Sequence, residues 1–196
     1  MVVLVDCGSN KVPDIVREIR RFRNRIYLIS MEAFEADQLP EHDTLVISGA
    51  PIMLTEEDPT PFLEKFAFLE TSDLPTLGIC FGFQMMGMIF KSQIFKGPPQ
   101  RHHTTISRHN DHALLSHFSY QFDMAEDHCE GISLPAGFQK LASSKDYPVE
   151  VMAHHFRPLY GVQFHPEVSG TLGTALFKNF FHLADLYSAH GRRGMP

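Results

Sequence analysis

Four short apolar runs, "VVLVD", "RIYLIS", "TLVIS" and "PTLGI", alternate with helical segments across the first part of the chain, and that alternation restricts the fold more than any other feature. Each run is too short for a helix that buries a face, and each is apolar almost throughout, as in a strand covered on both sides. After the first run, "KVPDIVREIRRF" sets Val12, Ile15, Val16, Ile19 and Phe22 on one helical face with arginines opposite. "TPFLEKFAFLE" and "GFQMMGMIF" read as two further helices, the second begun at a glycine. Strands alternating with helices predict an α/β fold: a mainly parallel central sheet flanked by helices. From about Ile94 the pattern changes, and stretches such as "YQFDMA", "PVEVMAHHF" and "LYGVQF" predict a smaller antiparallel or mixed element in the second half. The long periodic segment "TLGTALFKNFFHLADLY" predicts a closing helix with Leu172, Leu176, Phe180, Leu183 and Tyr187 along one side. One domain is expected over residues 1–190, with 191–196 a frayed tail, because "SAHGRRGMP" has too little apolar content to pack.

Composition narrows the function classes. A chain of 196 residues with 43% hydrophobic and 20% charged residues can bury a sizeable core. Its formal net charge of -6 argues against a nucleic-acid partner, which would call for a basic stripe. No apolar run reaches the length of a membrane span, and Met1 leads straight into a strand with no basic segment before it, so a cytoplasmic protein is expected. Cys7, Cys80 and Cys129 are odd in number and widely spaced, which indicates neither a disulfide scaffold nor a zinc site. Five histidines crowd into "RHHTTISRHNDHALLSHF" (His102, His103, His109, His112, His117). With no carboxylate or cysteine at a repeated ligand spacing, this reads as a polar, solvated surface segment, and a transition-metal site is the alternative.

The chemistry is carried by three separated stretches. In Gly78-Ile79-Cys80-Phe81-Gly82 a cysteine stands between glycines where a predicted strand gives way to a helix. A sharp strand-to-helix turn of this kind exposes a nucleophile in a strained conformation, and the helix N-terminus favours thiolate over thiol. A small buried core cysteine is the competing reading. In "YGVQFHPEV" a strand delivers His165, Pro166 fixes a backbone torsion, and Glu167 lies where its carboxylate could hold the far imidazole nitrogen. The third stretch, "VISGAP", ends a strand in the tight turn Ser48-Gly49-Ala50-Pro51, whose N–H groups could serve with that of Phe81 as oxyanion donors.

Taken together, "LGICFGFQ", "VISGAP" and "YGVQFHPEV" resemble the class I glutamine amidotransferases, and the resemblance runs from "LVDCGSNK" to the last helix. Within the family, "LPAGFQKLASSKDYPVEVMAHHFRPLYGVQFHPEV" looks most like the glutaminase domain or subunit of GMP synthase. The resemblance implies a flavodoxin-like fold and a Cys-His-Glu triad that hydrolyses glutamine to glutamate and ammonia through a cysteine thioester. It makes Cys80 the nucleophile, His165 the base, Glu167 its orienter, and Ala50 and Phe81 the oxyanion donors. Gly49, Gln84 and His128 would contact the substrate, and neither a metal nor an organic cofactor is implied. The ammonia would pass to a separate ATP-dependent synthetase that aminates xanthosine monophosphate, since the chain carries no phosphate-binding loop of its own.

Several positions depart from the family pattern. Ala50 replaces the second glycine of the usual Ser-Gly-Gly-Pro turn, and "FKGPPQRHHTTIS" holds no counterpart of the Glu-Tyr-Gly substrate loop. "EDHCEG" stands for Ser-His-x-Asp, with only His128 matching and Glu130 near the acidic position. The usual His-Thr after the Glu motif reads Gly170-Thr171. A stand-alone hydrolase of another γ-glutamyl amide or peptide is therefore the alternative function, and a non-catalytic regulatory or binding module the second alternative.

Overall fold

The apolar runs of the first half pair with one another. In the structure, a computed structural model that describes residues 1–190, β1 (Val2–Asp6), β2 (Ile26–Ser30), β3 (Thr44–Ile47) and β4 (Thr76–Ile79) form a parallel sheet in the order β2-β1-β3-β4. The expected frayed tail over 191–196 lies outside the described residues. Val2, Val3, Leu4 and Val5 are all fully buried, so β1 is covered on both faces as its unbroken apolar run requires. Helix α1 (Val12–Arg20) buries Val12, Ile15 and Ile19 against one face of the sheet. Helices α2 (Thr60–Phe66) and α3 (Phe81–Ile89) cover the other, where Phe66, Phe81, Phe83, Met85 and Met86 form the second core layer with Val3, Val5, Leu45 and Ile47.

The second half extends the same sheet. β11 (Leu159–Val162) joins β4 in parallel, and β10 (Val151–His154), β9 (Phe138–Ser143), β6 (His103–Arg108) and β7 (Gln121–Ala125) continue it antiparallel, giving nine strands in the order β2-β1-β3-β4-β11-β10-β9-β6-β7. β5 (Ile94–Gln100) and β8 (His128–Ile132) form a separate antiparallel pair. Helix α4 (Gly170–His190) packs Leu176, Phe177, Phe180 and Phe181 into the core shared with α1. The architecture is thus α/β with a parallel half and an antiparallel half in one sheet.

One register joins two segments that are far apart in sequence. Val162 of β11 lies opposite Ile79 of β4, and Cys80 N–H donates to the Val162 carbonyl at 2.9 Å. The residues after the two strands therefore emerge side by side at the C-terminal edge of the sheet, where open α/β sheets place their ligands.

Candidate active site

Cys80 sits between β4 and α3 with φ 52° and ψ -103°, a conformation that costs an L-residue of order 1–3 kcal/mol and persists only where the surroundings impose it. The flanking glycines are what impose it. A Cβ on Gly78 would lie 2.6 Å from the Gly82 carbonyl, and one on Gly82 would lie 2.5 Å from the Ile47 carbonyl. The turn closes only because two backbones touch where side chains would stand.

His165 leaves the end of β11 and is held by its own backbone. Its N–H donates to the Ala125 carbonyl at 2.8 Å, and Ser169 Oγ donates to its carbonyl at 2.7 Å. Nδ1 stands 2.7 Å from Glu167 Oε1, both side chains being almost fully buried. An ionised carboxylate can only accept, so the Nδ1 proton is fixed and Nε2 is the nitrogen turned to the nucleophile. Burial alone would lower the His165 pKa, but hydrogen bonds to Cys80 and Glu167, together with their charges, raise it from 6.5 to about 10. An imidazolium beside the sulfur is the electrostatic setting in which a thiolate is favoured. Cys80, remote in sequence, is thus brought to a histidine and a carboxylate that are near neighbours in the chain.

The turn after β3 supplies the next component. Ser48 Oγ accepts from Cys7 N–H and donates to the Gly49 carbonyl, each at 2.9 Å. In a planar trans peptide the N–H points opposite to the C=O, so pinning the Gly49 carbonyl aims the Ala50 N–H away from Ser48. Ala50 and Cys80 line the same cavity of about 500 Å³. Neither the Ala50 nor the Phe81 amide donates to an internal acceptor among the described residues. The Cβ of Ala50 leaves this donor in place. Gly49 lies against the base, where a Cβ would stand 3.1 Å from His165 Cε1.

The far wall of the cavity carries the residues for which the sequence is a poorer guide. Gln84 lines the cavity, yet its amide nitrogen donates to the Glu130 carbonyl and to Gln163 Oε1, both at 3.2 Å, leaving its oxygen as the free end. His128 also reaches the cavity wall, with Nδ1 turned inward to the Glu130 carbonyl at 2.8 Å, and burial lowers its pKa. Glu130 stands near the family's acidic position, but its carboxylate accepts from the Leu54 and Thr55 amides at 2.9 and 2.7 Å and so anchors the loop after β3. The exposed acid at the cavity is Asp127. It pairs with Lys11 at 2.7 Å and with Arg101 at 3.4 Å, and all three line the opening. No sequence pattern singles out Asp127, although it adjoins His128. Gln163 lies within "YGVQFHPEV" but is given no role by the sequence, and its Nε2 approaches Cys80 Sγ at 3.8 Å. Cys129 lines the cavity with its thiol toward Met53, a second sulfur within reach of a bound ligand.

Behind this wall, burial pushes Glu126 up to about 8, and burial with the charge of Glu126 holds Glu150 well above the usual carboxylate range. The histidine-rich segment behaves differently. His102, His103, His109 and His117 are exposed, and His112 accepts from the Leu114 amide at 3.1 Å. The segment is not a loop throughout, since it includes β6, with Ile106 buried beneath it.

Comparison with known proteins gives the same assignment as the geometry. The family described as "Glutamine amidotransferase class-I" matches residues 3–184. A glutamine-hydrolyzing GMP synthase subunit of Saccharolobus solfataricus is 32% identical over 151 residues, covering 74% of this chain and 78% of that protein. The corresponding GMP synthase subunit of Thermococcus kodakarensis is 29% identical, and the match covers 93% of this chain and 98% of that one. A crystal structure assigned to a GMP synthase subunit of Thermoplasma acidophilum superposes with a TM-score of 0.88 at 26% identity, over 98% of this chain and 97% of that one.

Proposed function

The chain belongs to the class I glutamine amidotransferases, and from that membership we propose that it is the glutaminase subunit of a two-subunit GMP synthase, supplying ammonia to an ATP-dependent synthetase subunit. The observation that carries the reading is the strained Cys80 and the Glu167-held His165 lining one cavity large enough for an amino acid. Cys80 attacks the carboxamide carbon of glutamine while the Ala50 and Phe81 amides receive the oxyanion. His165 protonates the departing ammonia, leaving a glutamyl thioester on Cys80. Water, deprotonated by His165, then attacks the thioester and releases glutamate. Glu167 holds the imidazole in one tautomer throughout.

The charges lining the cavity suit the rest of the substrate. Asp127 offers a carboxylate to the α-ammonium group, and Lys11 and Arg101, now paired with Asp127, offer cations to the α-carboxylate. Bound glutamine would exchange these surface ion pairs for its own. Ammonia released in open water would be protonated and lose its nucleophilic lone pair, so a partner that covers the cavity mouth is part of the function. Three unpaired cysteines suit the reducing interior of a cell. No described helix is long and apolar enough to cross a membrane.

The test is glutamate release from glutamine by the purified chain, with and without an ATP-dependent synthetase that aminates xanthosine monophosphate. Slow hydrolysis alone and strong stimulation by the nucleotide-loaded partner are expected. Fast hydrolysis of a γ-glutamyl peptide, unresponsive to any partner, would favour the stand-alone hydrolase. That second reading rests on the engagement of Glu130 by the loop after β3, which leaves the pocket acid to Asp127.

A further inference from the structure

Glu126, His128 and Glu150 bring their side chains together inside the protein, and of the three His128 also lines the cavity. Glu126 follows β7, His128 opens β8, and Glu150 precedes β10. One ligand atom from each lies within 4.8 Å of the others, and the three residues are 3%, 6% and 0% exposed. The Glu130 carbonyl can only accept, so the 2.8 Å contact with His128 Nδ1 places the ring proton there and leaves a lone pair on Nε2. That nitrogen stands 2.9 Å from Glu126 Oε2, and with the carboxylate ionised both atoms of the contact are acceptors. His128 Nε2 and all four carboxylate oxygens of Glu126 and Glu150 lack a hydrogen-bond partner among the described residues. With both carboxylates ionised, five acceptors converge in the buried interior, an arrangement that is stable only when a cation or protons stand among them.

We propose that Glu126, His128 and Glu150 form a binding site for a divalent first-row transition ion, represented here by Zn²⁺. Two carboxylates balance a charge of +2, and one imidazole with two carboxylates is a donor set that suits such ions better than calcium or magnesium. The backbone carbonyl on His128 Nδ1 is the outer-shell contact that fixes a ligating histidine in its tautomer. With bonds of about 2.0–2.1 Å, the ligands of a tetrahedral ion stand about 3.3 Å apart. The observed 2.9 Å contact and the 4.8 Å limit bracket that value, so small rotations bring the three ligand atoms to that spacing. The Tyr147 ring, its centroid 4.5 Å from that of His128, closes one side.

The ion would be a fastener rather than a reagent. Ala125, next to Glu126, accepts the His165 amide at 2.8 Å. Glu150 accepts the Gln163 amide at 2.9 Å, and Gln163 touches Cys80. One ion would therefore tie together the segments that hold the base and the residue beside the nucleophile.

The full chain, stripped with a chelator and titrated with Zn²⁺ by calorimetry, should bind one ion at this site with a raised melting temperature. The near-isosteric variants Glu126→Gln and Glu150→Gln should each weaken that binding at least about 10-fold. A variant in which the exposed His102, His103 and His109 are all alanine should retain it. Co²⁺ in the unaltered protein should show the visible bands of a low-coordinate nitrogen and oxygen site, a readout independent of whether the variants fold. Binding that survives Glu150→Gln but disappears in the triple histidine variant would place the ion on the surface and overturn the proposal. So would a stripped protein without tight Zn²⁺ binding that shows the infrared band of a protonated carboxyl group, lost in Glu126→Gln, since protons would then fill the cluster.

Discussion

The edge where β4 and β11 end, at Cys80 and His165, and the wall formed by residues 127–130 at the start of β8 border the same cavity, but they are held in different ways. At the edge, backbone does the positioning: the register of Val162 against Ile79, the contact of Gly78 with Gly82, and the strained φ of Cys80. At the wall, side chains do it: Glu130 anchors the loop after β3, Asp127 bridges Lys11 and Arg101, and Glu126, His128 and Glu150 converge behind. A geometry set by backbone tolerates almost no substitution, whereas one set by side chains can be rebuilt from other residues. The edge accordingly reads as a member of its family position by position, while the wall has exchanged its polar groups and still encloses a pocket.

The comparison breaks most visibly at the edge. Replacing Cys80 with alanine should reduce glutamine hydrolysis by roughly 10⁴-fold or more with little loss of stability, measured by glutamate release and thermal melting. A glutamine-like electrophile should label Cys80 by mass spectrometry and leave Cys7 unmodified, because burial pushes the Cys7 thiol up to about 12. Label on Cys129, the other thiol lining the cavity, would transfer the chemistry from the edge to the wall. Glu167→Gln should lower kcat by about 10²–10⁴-fold, since an amide can hold the imidazole in the wrong tautomer.

At the wall the effects should fall on binding. Asp127→Asn should raise KM for glutamine by about 10- to 100-fold with kcat nearly unchanged, the value of one charge-assisted hydrogen bond. An equal loss in kcat would show that the wall takes part in the chemical step, and the contrast between the two regions would fail.

Stability should divide the regions more mildly. Gly82→Ala must displace the Ile47 carbonyl and should cost about 1–3 kcal/mol in urea unfolding. The pH dependence has a definite sign. His165 holds its proton more tightly when folded, about 10 against 6.5, so its stabilising contribution is complete below about pH 6.5 and is lost as the pH rises toward 10. The melting temperature should therefore fall across that range more steeply in the unaltered protein than in His165→Gln. The smallest effect is expected for His103→Ala, on the exposed face of β6, within about 0.5 kcal/mol of no change.

Parts of the fold were hidden from the sequence for identifiable reasons. β5 contains Gly97, Pro98 and Pro99, residues that ordinarily end a strand, and it is accommodated because among the described residues it pairs with β8 alone. β8 is buried throughout although it reads His-Cys-Glu-Gly-Ile, because its polar groups are satisfied or gathered inside rather than solvated. β6 is masked because His103 and Thr105 face outward over a single buried Ile106.

What the sequence determined by itself is what short-range physics writes locally. Apolar runs too short for helices define the parallel half, glycines mark the turn at Cys80, and Pro166 and Glu167 follow His165 closely enough for one carboxylate to reach its ring. The tertiary structure alone decided which groups meet across long separations. It brought β11 against β4 in the one register that sets His165 beside Cys80, left Asp127 rather than Glu130 as the exposed acid lining the cavity, and carried Glu150 to Glu126 and His128. Local pattern fixes which face of an element is apolar. The partner of a polar side chain depends on which strands lie side by side, and that is settled only when the whole core packs.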